Sequence, residues 1–516
     1  MKRILLPVLL CASFALASAQ IPVQLGSKPW IFILCKFAGN DSEPTTIARY
    51  ESLLSEEYPG LGHYFREISQ NQMNLFGSRV IGWYTLPRTQ PEYLTSGRFD
   101  LTKALNDAVA VTDKDVYFPN YYGIALVFND FLAPAVPAAY RKTMGYGEPV
   151  QARIDGISRR WGVTWLPAEH RHTVFGHETN TLHHTQAHEI GHALGLPHSS
   201  GAYGDTYDNF WDLMSYYGAG SISHPDFGLL AIHPIAYHKH LLGWLSPEQK
   251  LTVSPGEQKT VELVCGSLDF PGVKMIRVSF PGSPGLFYTI ESRKQSGYDA
   301  NLTGEAVIIH DVDPNRSEIT KNGFVSDWRP AHVVDPDRNG YTGDEGTMWR
   351  PGEVFSDVER GIYVLIGDKT ENGYQVTVSN NVQGFSDFVS GGGMSSTLVL
   401  VNPSSSHPVE GNARMISSAG EPLSTVVNGA AASGEFEISV EPDGVGLFST
   451  NPAGALQLGS LALGSSSPLA ASLLFEGPAG AAAVPGQTVP RTSALLPSLP
   501  GSTGLRSGVA ISNPRS

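Results

Sequence analysis

The residues with the clearest chemical potential lie in the run His188-Glu189-Ile190-Gly191-His192-Ala193-Leu194-Gly195-Leu196-Pro197-His198. His188 and His192 are four apart, so on a helix their side chains share one face. Two imidazoles so placed can converge on one ion, and zinc takes His nitrogens at roughly 2.0–2.1 Å in tetrahedral geometry. Glu189 stands about 100° further round the same helix. That takes it off the ligand row but leaves it close enough to hold a water at the metal. Gly195 can adopt the left-handed backbone that ends a helix and turns the chain back. The turn brings His198 round as a third nitrogen ligand. Three protein ligands leave one position for water, the pattern of a catalytic zinc site rather than a structural one. The chemistry expected is hydrolysis, with a water acidified toward a pKa of roughly 7 and Glu189 as the general base that takes its proton.

The motif requires a helix over 181–195, and the preceding chain supplies a scaffold for one. Residues 29–37 are continuously apolar, which predicts a buried strand. Ser42-Glu43-Pro44 opens a predicted helix through Leu54. Leu61, Tyr64, Phe65 and Ile68 recur at helical spacing, as do Leu101, Leu105, Ala108 and Val109. Val80–Leu86 and Tyr121–Phe128 read as strands, and a further helix is expected over Leu229–Leu242. Strands alternating with helices predict an α/β layer. From about 250 to 380 the texture changes to short strands broken by Gly, Pro, Asn and Asp, among them Lys274–Phe280, Leu286–Ser292, Ala306–His310 and Tyr374–Ser379. This predicts an all-β sandwich. Gln383–Ser396, with Gly391-Gly392-Gly393, reads as a break. The Ser/Gly/Ala-rich remainder still holds strand-like runs at Thr397–Val401 and Glu435–Val440. Ser507–Pro514 echoes the strand-then-Asn-Pro pattern of Ser396–Ser404.

Composition narrows the class. Hydrophobic residues make up 41% of the 516 residues, enough for packed cores. Lys2 and Arg3, the apolar run Ile4–Ala15 and Ala17-Ser18-Ala19 read as an export signal cleaved near Ala19. No other stretch is apolar enough to span a membrane. The formal net charge of −14 becomes −16 once Lys2 and Arg3 are lost, which disfavours a nucleic-acid partner. Cys11 leaves with the signal; Cys35 and Cys265 are too few for a disulfide scaffold, and of a bridge between them or two buried free thiols the second is the preferred reading.

Weaker signals surround the motif. His170, His172, His177, His183 and His184 crowd its approach and suit cleft or surface roles. Asp205, Asp208 and Asp212 suit turn capping or calcium. Asp335-Pro-Asp337-Arg-Asn339-Gly340 starts like an EF-hand loop, with oxygen ligands at positions 1, 3 and 5, although position 12 is Gly346. Asp335, Asp337 and Asn339 are therefore candidate ligands of a structural Ca2+.

Asn209-Phe210-Trp211-Asp212-Leu213-Met214-Ser215-Tyr216 follows the third His. The long His motif together with a downstream Met resembles the metzincin zinc peptidases. The resemblance makes Met214 the residue of a turn that floors the zinc histidines. It makes Tyr216 a zinc-side Tyr able to bind metal or oxyanion. Within that group the chain resembles the immune inhibitor A-like bacterial peptidases over roughly residues 28–380. Gly62-His63-Tyr64-Phe65-Arg66-Glu67-Ile68-Ser69, Gly82-Trp83-Tyr84-Thr85-Leu86-Pro87, Trp211-Asp212-Leu213-Met214-Ser215, His238–Leu245 and Tyr288–Arg293 carry the likeness. Several members have Asp as third ligand, whereas His198 stands here, as in gametolysin-like enzymes. Members often carry a pro-segment, and about ten residues before Trp30 leave no room for one; no cysteine switch is visible.

The resemblance implies an α/β (α+β) metzincin-like catalytic domain, an all-β sandwich and a small C-terminal β domain. The boundaries expected are a signal at 1–19, catalytic domain 20–248, sandwich 249–382, linker 383–396 and C-terminal domain 397–516. The function implied is a secreted zinc-dependent endopeptidase acting on proteins or peptides. The alternatives are a non-catalytic adhesion or binding protein on the same fold, disfavoured by the intact Glu189, and a hydrolase of non-peptide amides.

Overall fold

A computed structural model of the chain describes residues 21–486 except 133–144, 175–176, 202, 204–206, 216–217, 219, 282, 320–325, 358–359, 418, 420 and 479. The export signal, Asp205, Tyr216 and the Ser507–Pro514 echo lie outside the described residues.

The first layer forms because one apolar segment can be buried on both faces. Strand β1 (Trp30–Lys36) turns Trp30, Phe32 and Leu34 to one side and Ile31, Ile33 and Cys35 to the other, and all six are fully buried. Helices α1 (Ile47–Leu53) and α2 (Leu61–Ile68) pack on the first side. β2 (Arg79–Thr85) pairs parallel to β1. α3 (Leu101–Thr112) covers the opposite side with Ala104, Leu105 and Ala108. β3 (Gly123–Phe128), β4 (Tyr146–Ile154) and β5 (Ile157–Pro167) complete a five-stranded sheet of order β2-β1-β3-β5-β4. Only β4, at the edge, runs antiparallel to its neighbour. Helix α4 (Leu182–Leu194) joins α1 and α2 on the first side.

Two helices start later than the sequence suggests. α1 begins at Ile47 because Thr46 caps it, its side chain accepting from Arg49 N at 3.1 Å. The helix expected over Leu229–Leu242 begins only at Ala236 (α5, Ala236–Leu241). Pro234 disfavours helical backbone before it, and upstream donors are already used: Leu230 N on Ile222 O and His233 N on Asp299.

The strand-rich part is not separate from the first. β6 (Ser199–Ser200), immediately after His198, is the edge strand of a six-stranded sheet. The other members are β7 (Lys250–Val253), β9 (Met275–Phe280), β10 (Ser283–Arg293), β11 (Ala306–Val312) and β14 (Ala331–Val333), in the order β6-β14-β11-β10-β9-β7. A second sheet contains β8 (Gln258–Val264), β15 (Val354–Asp357), β16 (Ile362–Lys369) and β17 (Gly373–Ser390). Its Val364, Ile366, Val376 and Val378 meet Ile276, Val278, Ile290 and Ile309 in a common core, as two packed sheets require. β12 (Ser317–Ile319) and β13 (Ser326–Trp328) pair antiparallel between β11 and β14 in the chain.

The linker expected over 383–396 is mostly strand. β17 runs unbroken to Ser390: its first half pairs with β8 and β16, and its second half with Gln457–Ser465. Only Gly391-Gly392-Gly393 turns, with φ of 80°, 65° and 82°, a conformation that costs glycine little. Phe385 and Phe388, between which the register shifts, both point into a further core with Leu398, Leu400, Met415, Leu461 and Leu463. Cys35 and Cys265 are buried free thiols. Among the described residues no helix is long and apolar enough to cross a membrane.

A fragment starting at Thr397 therefore lacks one of the two strands that pair with Gln457–Ser465 and keeps only Val409–Ser417. It should aggregate or unfold without a cooperative transition, whereas a fragment starting at Gly373 should melt cooperatively by circular dichroism.

Candidate metal centre

α4 is enclosed almost throughout; of its thirteen residues only His192 is not buried. Gly195 ends it in the left-handed region, φ 108° and ψ 7°. Gly195 N donates to His192 O at 2.8 Å and Leu196 N to Gly191 O at 3.0 Å, closing the last turn. The chain then reverses and places His198 opposite the helix.

The three imidazoles converge. His192 Nε2 lies 3.1 Å from His188 Nε2 and 2.9 Å from His198 Nε2. Nitrogens held about 2.0–2.1 Å from one tetrahedral ion are separated by about 3.3 Å, so these spacings fit the edges of such a site. The opposite ring atoms are all occupied. His188 Nδ1 donates to Leu213 O at 2.9 Å, His192 Nδ1 to Leu196 O at 2.9 Å and His198 Nδ1 to Asp327 Oδ2 at 2.6 Å. Carbonyl and carboxylate oxygens only accept, so each Nδ1 carries the proton and each Nε2 keeps its lone pair. Burial, then the neighbouring histidines, hold His188 well below its ordinary pKa and His192 down to about 3. Both are therefore neutral, the form that binds metal. Among the described residues this is the one group of three such side chains whose ligand atoms all lie within 4.8 Å of one another.

Glu189 is 5% exposed, and burial pushes its carboxyl up to about 8. The edge strand β4 packs directly against it. A Cβ on Gly147 would overlap the Glu189 carbonyl, and one on Gly145 would lie 3.0 Å from Glu189 Oε1. Bare backbone at these positions lets the helix and the strand meet.

Met214 is fully buried beneath the helix, its Sδ 2.6 Å from where a Gly191 Cβ would stand. Gly191 is thus the contact that lets the turn approach the two helical histidines. The turn is braced on every side. Asp212 accepts from Ser199 Oγ (2.6 Å), Ile235 N (3.1 Å) and His238 Nδ1 (3.0 Å). Burial raises this carboxyl, but His238 and the hydrogen bonds outweigh burial and hold it near 2. Asp208 accepts from Gly201 N at 2.6 Å. Of the alternatives for these aspartates, turn fixing describes both.

Sequence reasoning did not identify Asp327, Arg293 or Tyr207. Asp327 is 129 positions from the histidine it contacts. Arg293, 3% exposed, donates to Trp211 O at 2.7 Å and pairs with Asp299. The Tyr207 ring stands 5.1 Å from that of His198 and 6.4 Å from that of His188. Arg293 lies in the Tyr288–Arg293 run that carries the likeness but had no role assigned, and no local pattern marks Asp327 or Tyr207. The expectation of cleft or surface roles fails for His183 and His184, which are fully buried. His183 stacks on Tyr298 and accepts from Ala231 N through Nδ1, a core role. In the loop expected to bind Ca2+, Asp335 Oδ1 and Asp337 Oδ2 lie 2.7 and 2.5 Å from the position a Gly346 Cβ would take. Asn339 turns its amide to Asp337 (3.0 Å) and Asp344 (2.6 Å).

No family model and no curated protein matches this chain.

The buried Glu189 sets a pH dependence for the metal-free protein. Its folded pKa of about 8 lies above the ordinary value of 4.5, so the folded state holds the proton that the unfolded state releases. Below both values the group contributes nothing; stability then falls as pH rises between them. Metal-free Glu189→Gln should match metal-free wild type near pH 4 and melt several degrees higher at pH 8, read by differential scanning calorimetry. Equal melting temperatures at both pH values would contradict the assignment.

Proposed function

We propose that the chain is a secreted zinc-dependent endopeptidase of the metzincin type, with His188, His192 and His198 as metal ligands and Glu189 as general base. The observation that carries the reading is the convergence of three Nε2 lone pairs, 2.9 and 3.1 Å apart, while every Nδ1 is spent on a protein acceptor. An all-nitrogen set of three at this spacing suits zinc better than a hard, oxygen-seeking cation. Three protein ligands and a buried carboxylate one residue from the first describe a hydrolytic site rather than a structural one.

A zinc ion bound there supplies Lewis acidity, lowering the pKa of water toward about 7 and polarising a carbonyl oxygen. The protein does the rest. His188 and His192 present fixed tautomers from one rigid helix face. Glu189, pressed against Gly145 and Gly147 and ionised when a neighbouring cation offsets its burial, accepts the proton of the attacking water at a carboxylate oxygen. It returns that proton to the leaving amine nitrogen as the peptide bond breaks. Met214 and the buried Asp212 keep the floor of the site dry and fixed. Tyr216 is proposed as an oxyanion or metal partner on the resemblance alone.

Export is part of the proposal, supported by Lys2, Arg3, the apolar run to Ala15 and Ala17-Ser18-Ala19. A structural Ca2+ at Asp335 and Asp337 belongs to it too, supported by two carboxylate oxygens that face one space beside Gly346.

Casein zymography tests the activity. The wild type should clear casein, a chelator should abolish clearing, and zinc should restore it. Glu189→Ala should retain metal while losing activity by a factor on the order of 10²–10⁴. A folded, zinc-loaded wild type that leaves casein and peptide libraries intact would overturn the peptidase assignment and favour a binding protein.

A further inference from the structure

The three histidines are not held equally. His188 and His192 sit on α4 and donate to main-chain carbonyls of neighbouring turns. His198 stands beyond the helix end on irregular backbone, and its orienting acceptor is a side chain, Asp327, on β13. Asp327 is itself clamped. Its Oδ2 also accepts from Arg329 Nε at 3.1 Å and Nη2 at 2.9 Å. Arg329 is 2% exposed and sends Nη1 to Ser200 Oγ at 2.8 Å. Ser199 and Ser200 pair with Ala331 and His332 in parallel register, which carries the chain out of His198 alongside the chain out of Arg329. The backbone pairing and the Arg329 bridge thus fix the distance between His198 and Asp327 twice over.

We propose that Asp327, braced by Arg329, is a positioning residue for the third metal ligand, so that the metal centre is composite and the strand-rich part of the chain completes it. This rests on the proposal that the histidines bind metal. A carboxylate on Nδ1 of a ligating imidazole fixes the tautomer, directs Nε2 at the ion and raises ligand basicity; removing such a partner typically costs about 10–100-fold in metal affinity. Arg329 keeps Asp327 aimed. The same oxygen that it holds is the one His198 uses, so loss of either side chain frees the His198 ring to rotate.

The test uses the full chain and zinc alone, in competition with a chromophoric chelator. Wild type should take up one zinc. Asp327→Ala should bind it about 10–100-fold more weakly, with Asp327→Asn between the two because it keeps one acceptor and loses the charge. Cobalt(II)-loaded Asp327→Ala should show a displaced visible absorption band, a signature that a purely structural role would not move. The melting temperature of each metal-free variant identifies any loss of fold. If Asp327→Ala fails to fold, the isosteric Asp327→Asn carries the comparison. Variants that fold and match the wild type in zinc affinity and cobalt spectrum overturn this inference and leave the metal reading intact. A wild type that takes up no zinc removes the metal reading itself and this inference with it.

Discussion

Three imidazole nitrogens that turn their lone pairs toward one point repel one another, and the rest of the structure is arranged to hold them there. The cost is borne by packing and by hydrogen bonds on the far side of each ring. Leu213 O, Leu196 O and the Asp327 carboxylate each take one Nδ1 proton, which leaves every Nε2 with a lone pair to offer. Burial keeps His188 and His192 from relieving the repulsion by taking up protons. One cation at that point would accept all three lone pairs at once.

The acceptors come from different parts of the chain, and this explains why the site is braced at long range. Leu213 O belongs to the turn that contains Met214, and that turn is held from outside: Asp212 by Ser199, Ile235 and His238, Trp211 O by Arg293 of β10, and Trp211 Nε1 by Thr342 O and Thr347 Oγ1. Asp327 arrives on the β12–β13 pair. The six-stranded sheet even takes β6, the two residues after His198, as its edge strand. A buried polar set, Arg293 with Asp299 and Asp212 with His238, lies where the two parts meet. Burial of such groups is tolerated because each is paired and hydrogen-bonded.

What could be read from the sequence follows physical range. The spacing of His188 and His192, the turn at Gly195 and the place of Glu189 depend on helix geometry over eleven residues, and the structure brings the three histidines together as that geometry requires. β1 was readable because a strand buried on both faces is apolar without interruption. Asp327, Arg293 and Tyr207 were not, since their roles arise from contacts across the fold and their types are ordinary in surface loops. The error over Leu229–Leu242 has a local cause in Pro234, which outweighs helical periodicity upstream. That over 383–396 arose because a Gly-rich turn was taken to mark a domain border, whereas β17 crosses it. His183 and His184 looked like surface histidines because polarity was read without the aromatic pocket of Tyr64 and Tyr298 that encloses His183.

The central claim is that a divalent zinc ion sits among three imidazoles. Zinc K-edge X-ray absorption on full-length protein, purified without chelators and supplied with zinc, measures this most directly. The account predicts one zinc per chain with three imidazole nitrogens at about 2.0–2.1 Å and a light-atom fourth ligand. Well-folded protein without stoichiometric zinc, or with zinc in a shell that contains no imidazole, would contradict it.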